Sequence, residues 1–371
     1  MKTGKKLKKL NSRLRAIWYG DNTASILNPL TLILSVLSFV YRFVINLRNQ
    51  MYNQGILKQE KLACKVISVG NITVGGTGKT PTVIMLAKLL KERGYRPAVL
   101  SRGYGGNAKS PVNIVSDGSK TLMGHIEAGD EPVLIAQSVN GIPVLTGPKR
   151  TLTGMFAIEN MNADILVLDD AFQHRCIFRD IDIVILNREK PFGNGFLLPR
   201  GPLREPPISL DRAHIQIWKD NTLDGRFPKY CEQGIGTFSP TLSEYLKPKD
   251  ILRGGTGEAL PLEYISGKKV GAVAGIGSPE NFKETIESIG ATLVSFLIFP
   301  DHYRYTPEDI AEIREKASAS DAECILTTEK DGIRLADFPD FLKDTLILRV
   351  EMEMLPSREE FAALILDRLK E

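Results

Sequence analysis

The sequence predicts an α/β protein built on a parallel, doubly wound sheet, with a second, smaller α/β domain towards the C-terminus. Short apolar runs of strand length alternate with stretches of helical periodicity, and this alternation is typical of parallel sheets with crossover helices. A glycine-rich loop joins the first of these strands to the first of these helices. With 371 residues, 43% of them hydrophobic and 25% charged, the chain is long enough for two domains of ordinary globular composition.

The first fifteen residues form a basic tail. They contain seven Lys and Arg residues and no acid, giving +7, and since the whole chain carries +4 the remaining 356 residues sum to −3. A basic tail on a nearly neutral body indicates an anionic partner, either phospholipid headgroups or nucleic acid, although a merely solvated tail has the same composition. The four cysteines are far apart in sequence and form no CxxC pair, which indicates a reducing compartment.

Residues 30–47 are predicted to form a membrane-associated helix. The run is apolar except at positions spaced by three or four residues, which draw one polar stripe along a helix. These positions are Thr31, Ser35, Ser38, Arg42 and Asn46. The run is borderline for a full span, which needs about 20 apolar residues, and no signal-peptide cleavage site follows it.

The expected position of this helix in the membrane depends on the glycine-rich loop at residues 70–80. The basic tail is expected to stay cytoplasmic, so a complete crossing would place a nucleotide-binding loop outside, where there is no ATP. We therefore expect a helix that lies in or dips into the cytoplasmic leaflet of the membrane. A buried helix of a soluble domain is the alternative.

The segment after the strand predicted at residues 65–69 has the features of a phosphate-binding loop. It reads GNITVGGTGKT over residues 70–80 and leads into a helical pattern, the context in which backbone N–H groups can surround phosphate oxygens. It follows a GG-x-GK[ST] variant, because the commoner GxxxxGK[ST] pattern would need a glycine at Thr73. Lys79 is expected to reach the β and γ phosphates of ATP and Thr80 to bind Mg²⁺. The predicted nucleotide-binding residues are Thr73, Gly75, Gly76, Thr77, Gly78, Lys79 and Thr80.

Two carboxylates mark a second part of the predicted nucleotide site. Asp169 and Asp170 end a buried strand predicted at residues 163–170, the arrangement that holds Mg²⁺ in P-loop enzymes, although two acids at a strand end can also form a simple turn. Further strands are predicted at residues 97–101, 143–146 and 182–186. Helical patterns separate them, so we expect a parallel sheet with its ligands at the C-terminal ends of the strands.

A second βα unit is predicted after residue 265. Residues 270–274 read as a strand, and GIGSP at residues 275–279 makes a tight turn into a helix, which either serves only the connection or faces a substrate phosphate. The TEKD segment at residues 328–331 follows another predicted strand and is expected near the nucleotide. The predicted domains are 1–60 (basic tail and membrane-associated helix), 61–218 (P-loop domain), 219–265 (hairpin-like connecting excursion) and 266–371 (smaller α/β domain).

Eight segments of the chain resemble the tetraacyldisaccharide 4'-kinase family of lipid A biosynthesis, in order through nearly the whole chain. They are VGNITVGGTGKTP (69–81), LSRGYGG (100–106), GDEP (129–132), DDAFQHR (169–175), PRGPLRE (199–205), AGIGSPENF (274–282), FPDHYRYT (299–306) and TTEKD (327–331). The resemblance implies a RecA-like P-loop domain with ATP and Mg²⁺ as cofactors. It implies transfer of the γ-phosphate of ATP to the 4'-hydroxyl of tetraacyldisaccharide 1-phosphate, a lipid-linked disaccharide, giving lipid IVA at the cytoplasmic face of the bacterial inner membrane.

The resemblance also implies roles for individual residues. Asp130 would be the general base for the sugar hydroxyl, a poor nucleophile at neutral pH, with His302 as its partner and Lys79 on the phosphates. Without the family, His302 would read as a structural histidine beside a helix cap. The expected metal ligands are Thr80, Asp169 and Asp170, with Glu131, which is adjacent to the base, as an extra contact. The expected substrate-binding residues are Arg102, Tyr104, Gln173, His174 and Arg204, polar groups on loops that suit a disaccharide and its 1-phosphate, with hydrogen bonding within the loops as the alternative for each.

Two other classes of protein remain open on the sequence. A membrane-associated P-loop switch ATPase would share the GG-x-GKT loop and would hydrolyse ATP slowly without a phosphorylated product. A nucleic-acid-binding NTPase would share the basic tail. However, the body sums to −3 and has no aromatic–basic binding motif, so we expect no nucleic acid partner. The sequence implies no protein partner.

Overall fold

The computed structural model describes residues 17–19, 29–75, 78–219 and 240–370. The chain divides into two compact units. The first comprises the described residues up to Leu100, those from Lys149 to Tyr245 and those from Met354 onwards; the second comprises Ser101–Pro148 and Leu246–Glu353. The contiguous domains expected from the sequence differ from this division, because residues 101–148 pack and form ion pairs with residues 302–334.

The described residues form the following strands and helices. The strands are β1 (Lys65–Gly70), β2 (Pro97–Ser101), β3 (Asn113–Ser116), β4 (Val144–Thr146), β5 (Ile165–Asp169), β6 (Ile181–Asn187), β7 (Ile215–Lys219), β8 (Thr241–Arg253), β9 (Ala259–Leu260), β10 (Lys269–Ala274), β11 (Thr292–Ile298), β12 (Cys324–Thr328) and β13 (Thr345–Leu355). The helices are α1 (Pro29–Asn53), α2 (Lys79–Glu92), α3 (His125–Ala128), α4 (Asp130–Ser138), α5 (Arg150–Met161), α6 (Pro279–Ser288), α7 (Pro307–Ala319), α8 (Glu329–Leu335), α9 (Pro339–Leu342) and α10 (Arg358–Lys370).

The first unit is built on a parallel sheet with the order β8-β7-β6-β1-β5-β2. Strands β2 and β5 are buried along their whole length and β1 along all but its first residue, as expected for parallel strands covered on both faces. From β1 the chain moves to β2 and β5 on one side and then to β6, β7 and β8 on the other. The C-terminal end of β1 therefore lies where the strand order reverses, the usual place for a ligand in such a sheet. The predicted α/β fold with a parallel sheet is confirmed.

The second unit has a smaller parallel sheet with the order β11-β10-β12-β13. Its core includes Val270, Phe282, Ile286 and Leu326, contributed by two strands and a helix. Two antiparallel pairs are present, β3 with β4 and β8 with β9. The first was not predicted, and the second lies within residues 219–265, where a hairpin-like excursion was expected. The strand predicted at residues 143–146 is thus β4, whose partner β3 runs antiparallel to it.

Helix α7 shows how local sequence sets an element boundary. Thr306 caps the helix by accepting a hydrogen bond from the Asp309 N–H, and the Asp309 carboxylate accepts in return from the Thr306 N–H. This reciprocal pair satisfies two donors that a helix start leaves open, and Pro307 occupies the first turn, where its missing N–H has no cost. The segment just before this cap carries His302, so the cap fixes the end of the loop that presents it.

Helix α1 packs one face on the first unit and exposes the other. Among the described residues it is the helix that is long and apolar enough to cross a membrane. Its packing contacts are Ser38 Oγ donating to the Leu197 carbonyl (2.8 Å), Tyr41 Oη to the Arg204 carbonyl (3.0 Å) and Asn49 Nδ2 to Glu205 (3.0 Å). The exposed large apolar side chains are Leu30, Leu32, Ile33, Val36, Leu37, Phe39, Val40, Phe43, Val44 and Leu47.

The predicted polar stripe of α1 agrees only in part with the packed face. Thr31 and Ser38 are buried, but Arg42 and Asn46 are exposed, and Ile45 is buried instead. The packed positions advance by about 3.5 residues per turn, as in a helix that follows a neighbouring surface, whereas the stripe advances by slightly more. The stripe therefore drifts off the contact towards the C-terminal half of α1.

Candidate active site

The phosphate loop leaves β1 at Gly70 and enters α2 at Gly78. A side chain at Gly70 would place its Cβ 2.7 Å from Cβ of Phe172, so the close passage of these two segments requires glycine. Gly75 (φ 126°) and Gly78 (φ 87°) adopt conformations that favour glycine. Thr73 is buried and pairs with Leu203. Gly76 and Thr77 lie outside the described residues.

Lys79, Asp170, Arg204 and Gln173 converge at the end of this loop. Asp170 Oδ1 lies 3.8 Å from Lys79 Nζ, and Arg204 Nη1 donates to both Asp170 oxygens at 2.8 and 3.0 Å. Gln173 donates through Nε2 to the Asn71 carbonyl at 2.8 Å. Burial raises the pKa of Asp170, but the charges of Lys79 and Arg204 outweigh it and hold the pKa below its usual value. Asp170 is therefore a permanent carboxylate in a cationic setting.

The backbone of Asp170 is also unusual, because its φ of 47° is left-handed. Among the described non-glycine residues three others have positive φ. Asn162 ends α5 and Asp321 follows α7, where such a conformation is common, and the third is His302. Strained backbone away from helix ends occurs preferentially at functional sites. Two of the predicted site residues thus share a local strain that the fold maintains.

The oxygen donors beside the phosphate loop fit Mg²⁺. Thr80 is half-buried in the first turn of α2, and Asp169 ends β5 buried, directly before Asp170. Within the described residues there is no group of three or more His, Cys, Asp and Glu side chains that could hold a metal ion. Mg²⁺ in nucleotide sites needs only one or two protein oxygens, because phosphate oxygens and water complete its shell. A hydroxyl and a pair of carboxylates therefore suffice.

His174 is placed differently from Gln173. Its ring Nε2 lies 3.1 Å from Cys176 Sγ, and its carbonyl accepts a hydrogen bond from Arg179 at 2.9 Å. Gln173 and Arg204 therefore lie beside the Lys79–Asp170 pair, whereas the His174 ring lies beside the thiol of Cys176. Cys64, Cys176 and Cys324, the cysteines among the described residues, are free.

In the second unit, Asp130 is bound by one histidine and two cations. It is the first residue of α4, and its Oδ1 lies 3.0 Å from His302 Nδ1. Its Oδ2 accepts from Arg334 Nε at 2.9 Å and also from Arg334 Nη2, and it lies 3.9 Å from Lys330 Nζ. Burial raises the pKa of Asp130, but the hydrogen bond from His302 and the charges of Lys330 and Arg334 hold it well below its usual range.

Lys330 decides which nitrogen of His302 carries the proton. Its Nζ lies 3.0 Å from Glu131 Oε1, 3.3 Å from Asp301 Oδ1 and 3.3 Å from His302 Nε2. Burial lowers the pKa of Lys330, yet the three neighbouring carboxylates outweigh it and raise the pKa above its usual value. Lys330 is therefore a permanent donor. His302 Nε2 must accept from it, so Nδ1 carries the proton and donates to Asp130.

The SRGYGG loop lies against the same group. The ring of Tyr104 contacts the ring of His302 edge to face, with centroids 5.4 Å apart, and Arg304 donates to the Gly105 carbonyl at 3.3 Å. A side chain at Gly129 would bring its Cβ within 2.4 Å of the Tyr104 carbonyl, so this approach requires glycine in front of Asp130. Arg102 is exposed.

The chain matches known proteins over nearly its whole length. The family model described as tetraacyldisaccharide-1-P 4'-kinase matches residues 30–370. The chain belongs to this family. The resemblance drawn from the eight segments is thereby confirmed.

Individual relatives of the tetraacyldisaccharide 4'-kinase family cover the chain almost completely. The tetraacyldisaccharide 4'-kinase of Syntrophus aciditrophicus is 48% identical over 98% of this chain and 99% of its own length. That of Anaeromyxobacter dehalogenans is 39% identical over 93% and 92%. The crystal structure of LpxK from Aquifex aeolicus in complex with ATP superposes with a TM-score of 0.75 at 32% identity, covering 92% of this chain and 99% of that one.

In this family member the predicted site residues fall into two groups. The first unit holds Thr73, Gly75, Gly78, Lys79, Thr80, Asp169, Asp170, Gln173, His174 and Arg204, and the second holds Arg102, Tyr104, Asp130, Glu131 and His302. The sequence patterns did not single out Arg334 and placed TEKD only near the nucleotide, whereas Lys330 contacts Glu131 and His302. The available signal was the spacing of Lys330 and Arg334, which are four residues apart and so share one face of α8.

Arg334 is itself held by a buried acid. Asp331 accepts from Arg334 Nη1 at 3.0 Å, from Tyr305 Oη at 2.9 Å and from the Gly275 N–H at 3.0 Å. Arg334 Nη1 also donates to the Gly275 carbonyl at 2.8 Å. The GIG turn thus anchors the cation that binds Asp130, a structural use that its sequence did not distinguish from phosphate binding.

Proposed function

We propose that this chain transfers the γ-phosphate of ATP to the 4'-hydroxyl of tetraacyldisaccharide 1-phosphate, forming lipid IVA. The observation that carries the proposal is the contact of Asp130 with His302. A phosphate loop alone also serves switch ATPases, whose nucleophile is water. A carboxylate oriented by a histidine and two fixed cations is suited to a hydroxyl acceptor. Family membership supports the same reaction and the same acceptor.

Lys79 and the acids of the first unit would act on the phosphates. Lys79 offers a compact positive charge at the loop, where charge on the transferred group must be stabilised. Thr80, Asp169 and Asp170 would hold Mg²⁺, which when bound neutralises charge on the phosphate oxygens. Glu131 is a further proposed oxygen donor, and a metal contact there would first have to break its 3.0 Å ion pair with Lys330.

Asp130 would receive the proton of the acceptor hydroxyl. A carboxylate with a depressed pKa is a weak base, but phosphoryl transfer through a loose transition state requires little deprotonation before the P–O bond breaks. The main task of Asp130 is then to accept a hydrogen bond and orient the oxygen. His302, which donates to Asp130 through Nδ1, fixes the carboxylate plane for that contact.

The remaining predicted residues are proposed to bind the disaccharide and its 1-phosphate. Arg204 offers a guanidinium that is still partly exposed while it binds Asp170, and Arg102 is exposed. Such forked donors match phosphate oxygens. Tyr104, two-thirds exposed against His302, offers a ring face and a hydroxyl for a sugar. Gln173 and His174 would contribute further hydrogen bonds.

We propose that α1 lies in the cytoplasmic leaflet and does not span the membrane. Its packed positions run from Thr31 to Asn53, roughly 33 Å of helix at 1.5 Å per residue. The two helical residues before Thr31 add only about 3 Å beyond the packed positions, far less than a hydrocarbon core of about 30 Å. A helix that crossed the membrane completely would therefore place the surface on which it packs inside the bilayer, where polar groups of the first unit would lack hydrogen-bond partners.

This arrangement predicts which residues release the protein from membranes. Changing Phe39 and Phe43 to Glu places charges on the exposed apolar face without touching the packed one, so we expect loss of sedimentation with uncharged phosphatidylcholine vesicles, which do not attract the basic tail, and unchanged thermal stability. The matched control changes the exposed Leu122 and Ile298 of the second unit to Glu and should still sediment. Release by the control pair alone would show that the second unit carries the membrane contact.

The proposed reaction is tested directly with labelled nucleotide. Purified protein, Mg²⁺, γ-labelled ATP and tetraacyldisaccharide 1-phosphate in detergent should yield label on the lipid after thin-layer chromatography. Lipid IVA, whose 4'-position is already phosphorylated, should accept none. Label released only as free phosphate, whichever lipid is supplied, would favour the switch ATPase and remove the lipid acceptor from the proposal.

A further inference from the structure

A buried acid contacts the first turn of α2, directly after the phosphate loop. Thr82 Oγ1 lies 3.0 Å from the carbonyl oxygen of Gly78 and 2.8 Å from Oε2 of Glu244. Both side chains are fully buried, and Glu244 stands in β8, in register with Lys219 of β7. Neither Thr82 nor Glu244 has a role in the reaction described above, yet they meet the loop at the residue before Lys79.

The protonation state of Glu244 follows from a count of the hydrogen-bond donors and acceptors at this contact. A threonine hydroxyl has one proton, and the Gly78 carbonyl can only accept. If Glu244 were ionised, two acceptors would compete for that proton and one of the two short contacts would have none. Both contacts are satisfied when a neutral Glu244 donates to Thr82 Oγ1 and the Thr82 hydroxyl donates to Gly78.

The surroundings of Glu244 favour the same neutral form. Its Oε1 has no hydrogen-bond partner among the described residues, a costly state for a buried carboxylate and a milder one for a carboxylic acid. Lys219 is the charged group that acts on it from β7. Burial raises the pKa of Glu244 to about 8, because it outweighs the stabilisation that the Thr82 hydroxyl and the charge of Lys219 would give to the ionised form. Burial likewise lowers the pKa of Lys219.

The Gly78 carbonyl matters because it shares a peptide unit with the N–H of Lys79. The unit is planar, so a carbonyl anchored inside the helix points the Lys79 N–H in the opposite direction, back towards the loop. Backbone N–H groups of such loops bind phosphate oxygens. The Thr82 backbone N–H also reaches this carbonyl, but at 3.4 Å, so the hydroxyl is the closer of the two contacts.

We propose that Glu244 is a positioning residue of the nucleotide site, which as a neutral acid donates to Thr82 and so fixes the peptide between Gly78 and Lys79. This inference rests on the proposed binding of ATP by the loop. When Glu244 ionises, the Thr82 proton turns to the carboxylate and the Gly78 carbonyl loses its closer donor. ATP affinity should then fall as the pH rises through the titration of Glu244.

The test compares the ATP dissociation constant of the wild type and Glu244→Gln between pH 6.5 and 9.5 by calorimetry. Glutamine keeps a donor for Thr82 and cannot ionise. At pH 9 a group with a pKa of about 8 is about nine-tenths ionised, so the wild type should bind ATP about tenfold more weakly than at pH 7. Glu244→Gln should lose no more than about twofold. Equal pH profiles of the two proteins would overturn the proposal.

Two variants of Thr82 and a measurement of thermal unfolding serve as controls for this test. Thr82→Ser keeps the hydroxyl and should follow the wild-type profile, whereas Thr82→Val should bind ATP weakly at every pH. Thermal unfolding without ATP reports Glu244 separately. Because its folded-state pKa is raised, the stability of the wild type relative to that of Glu244→Gln should fall as the pH rises towards about 8. If stability depends on pH in this way but the protein binds no ATP at any pH, the proposed function is refuted. If the stabilities of the wild type and Glu244→Gln change equally with pH, Glu244 is not a neutral acid in the folded protein.

Discussion

Replacing Lys79 by alanine should reduce phosphoryl transfer to the lipid by roughly 10³-fold or more. Lys79 lies at the start of α2 with its Nζ 3.8 Å from Asp170, and its side chain is only 12% exposed, so water cannot easily replace its charge. Removing it leaves the transferred phosphate without a fixed positive charge from the loop. The loss should be measured as kcat for labelled lipid at saturating ATP.

The control for Lys79 lies on the same helix. Lys91→Ala removes a charge of the same kind from the exposed last turn of α2, far along the helix from the loop, and should leave kcat within about twofold. Both variants should unfold at nearly the wild-type temperature. If Lys79→Ala retained a tenth of the activity, Lys79 would not be the residue that stabilises the phosphate.

Replacing Asp130 by asparagine should reduce kcat by roughly 10² to 10⁴-fold while ATP affinity changes little. Asparagine preserves the shape of the side chain but removes the charge that accepts the hydroxyl proton. The substitution also leaves Arg334 with one partner fewer in a site where only 4% of its side chain is exposed, so we expect about 3 kcal/mol of lost stability. Activity must therefore be compared with a variant that has the same structural defect.

Asp331→Asn supplies that comparison. Asp331 is fully buried, binds the same Arg334 at 3.0 Å and has no contact with His302 in the described structure. We expect a similar loss of stability and a far smaller loss of kcat. Equal losses of kcat in the two variants would mean that Asp130 acts only by supporting Arg334, and a parallel loss of ATP affinity would remove it as the base.

The pH dependence of stability provides a further check on Asp130. Since its folded-state pKa lies well below the ordinary value of about 3.9, its contribution to stability is present above that value and is lost as the pH falls through the folded-state pKa. The wild type should lose more stability than Asp130→Asn when both are acidified below about pH 4. Over the neutral range the Asp130 carboxylate stays ionised, so its titration should not contribute to the pH dependence of kcat there.

Local patterns allowed much of this protein to be predicted from its sequence. The strand, glycine loop and helix at residues 65–92 follow from short-range rules, because buried strands are apolar and a tight phosphate loop needs glycine at positive φ. The same holds for Asp169 and Asp170 at a strand end. The pairing of Asp130 with His302, 172 residues apart, was available only through the family resemblance.

Contacts between distant segments required the tertiary structure. Residues 101–148 follow a strand of the P-loop sheet in sequence but join the second unit, because Asp130 and Glu131 bind cations of α8. On α1, the choice of Ile45 over Arg42 for the packed face was made by the surface it meets. The sequence periodicity of residues 101–148 and of α1 does not indicate which distant residues these segments contact.

By itself, then, the sequence determined the fold class, the phosphate loop and the family, since these depend on residues close together along the chain. Only the tertiary structure decided that Arg334 and Lys330 set the charge around Asp130, and that Glu244 reaches Thr82 from 162 residues away. The physical reason is that the proton affinity of a buried acid depends on the donors and charges within a few ångströms, and folding alone assembles them.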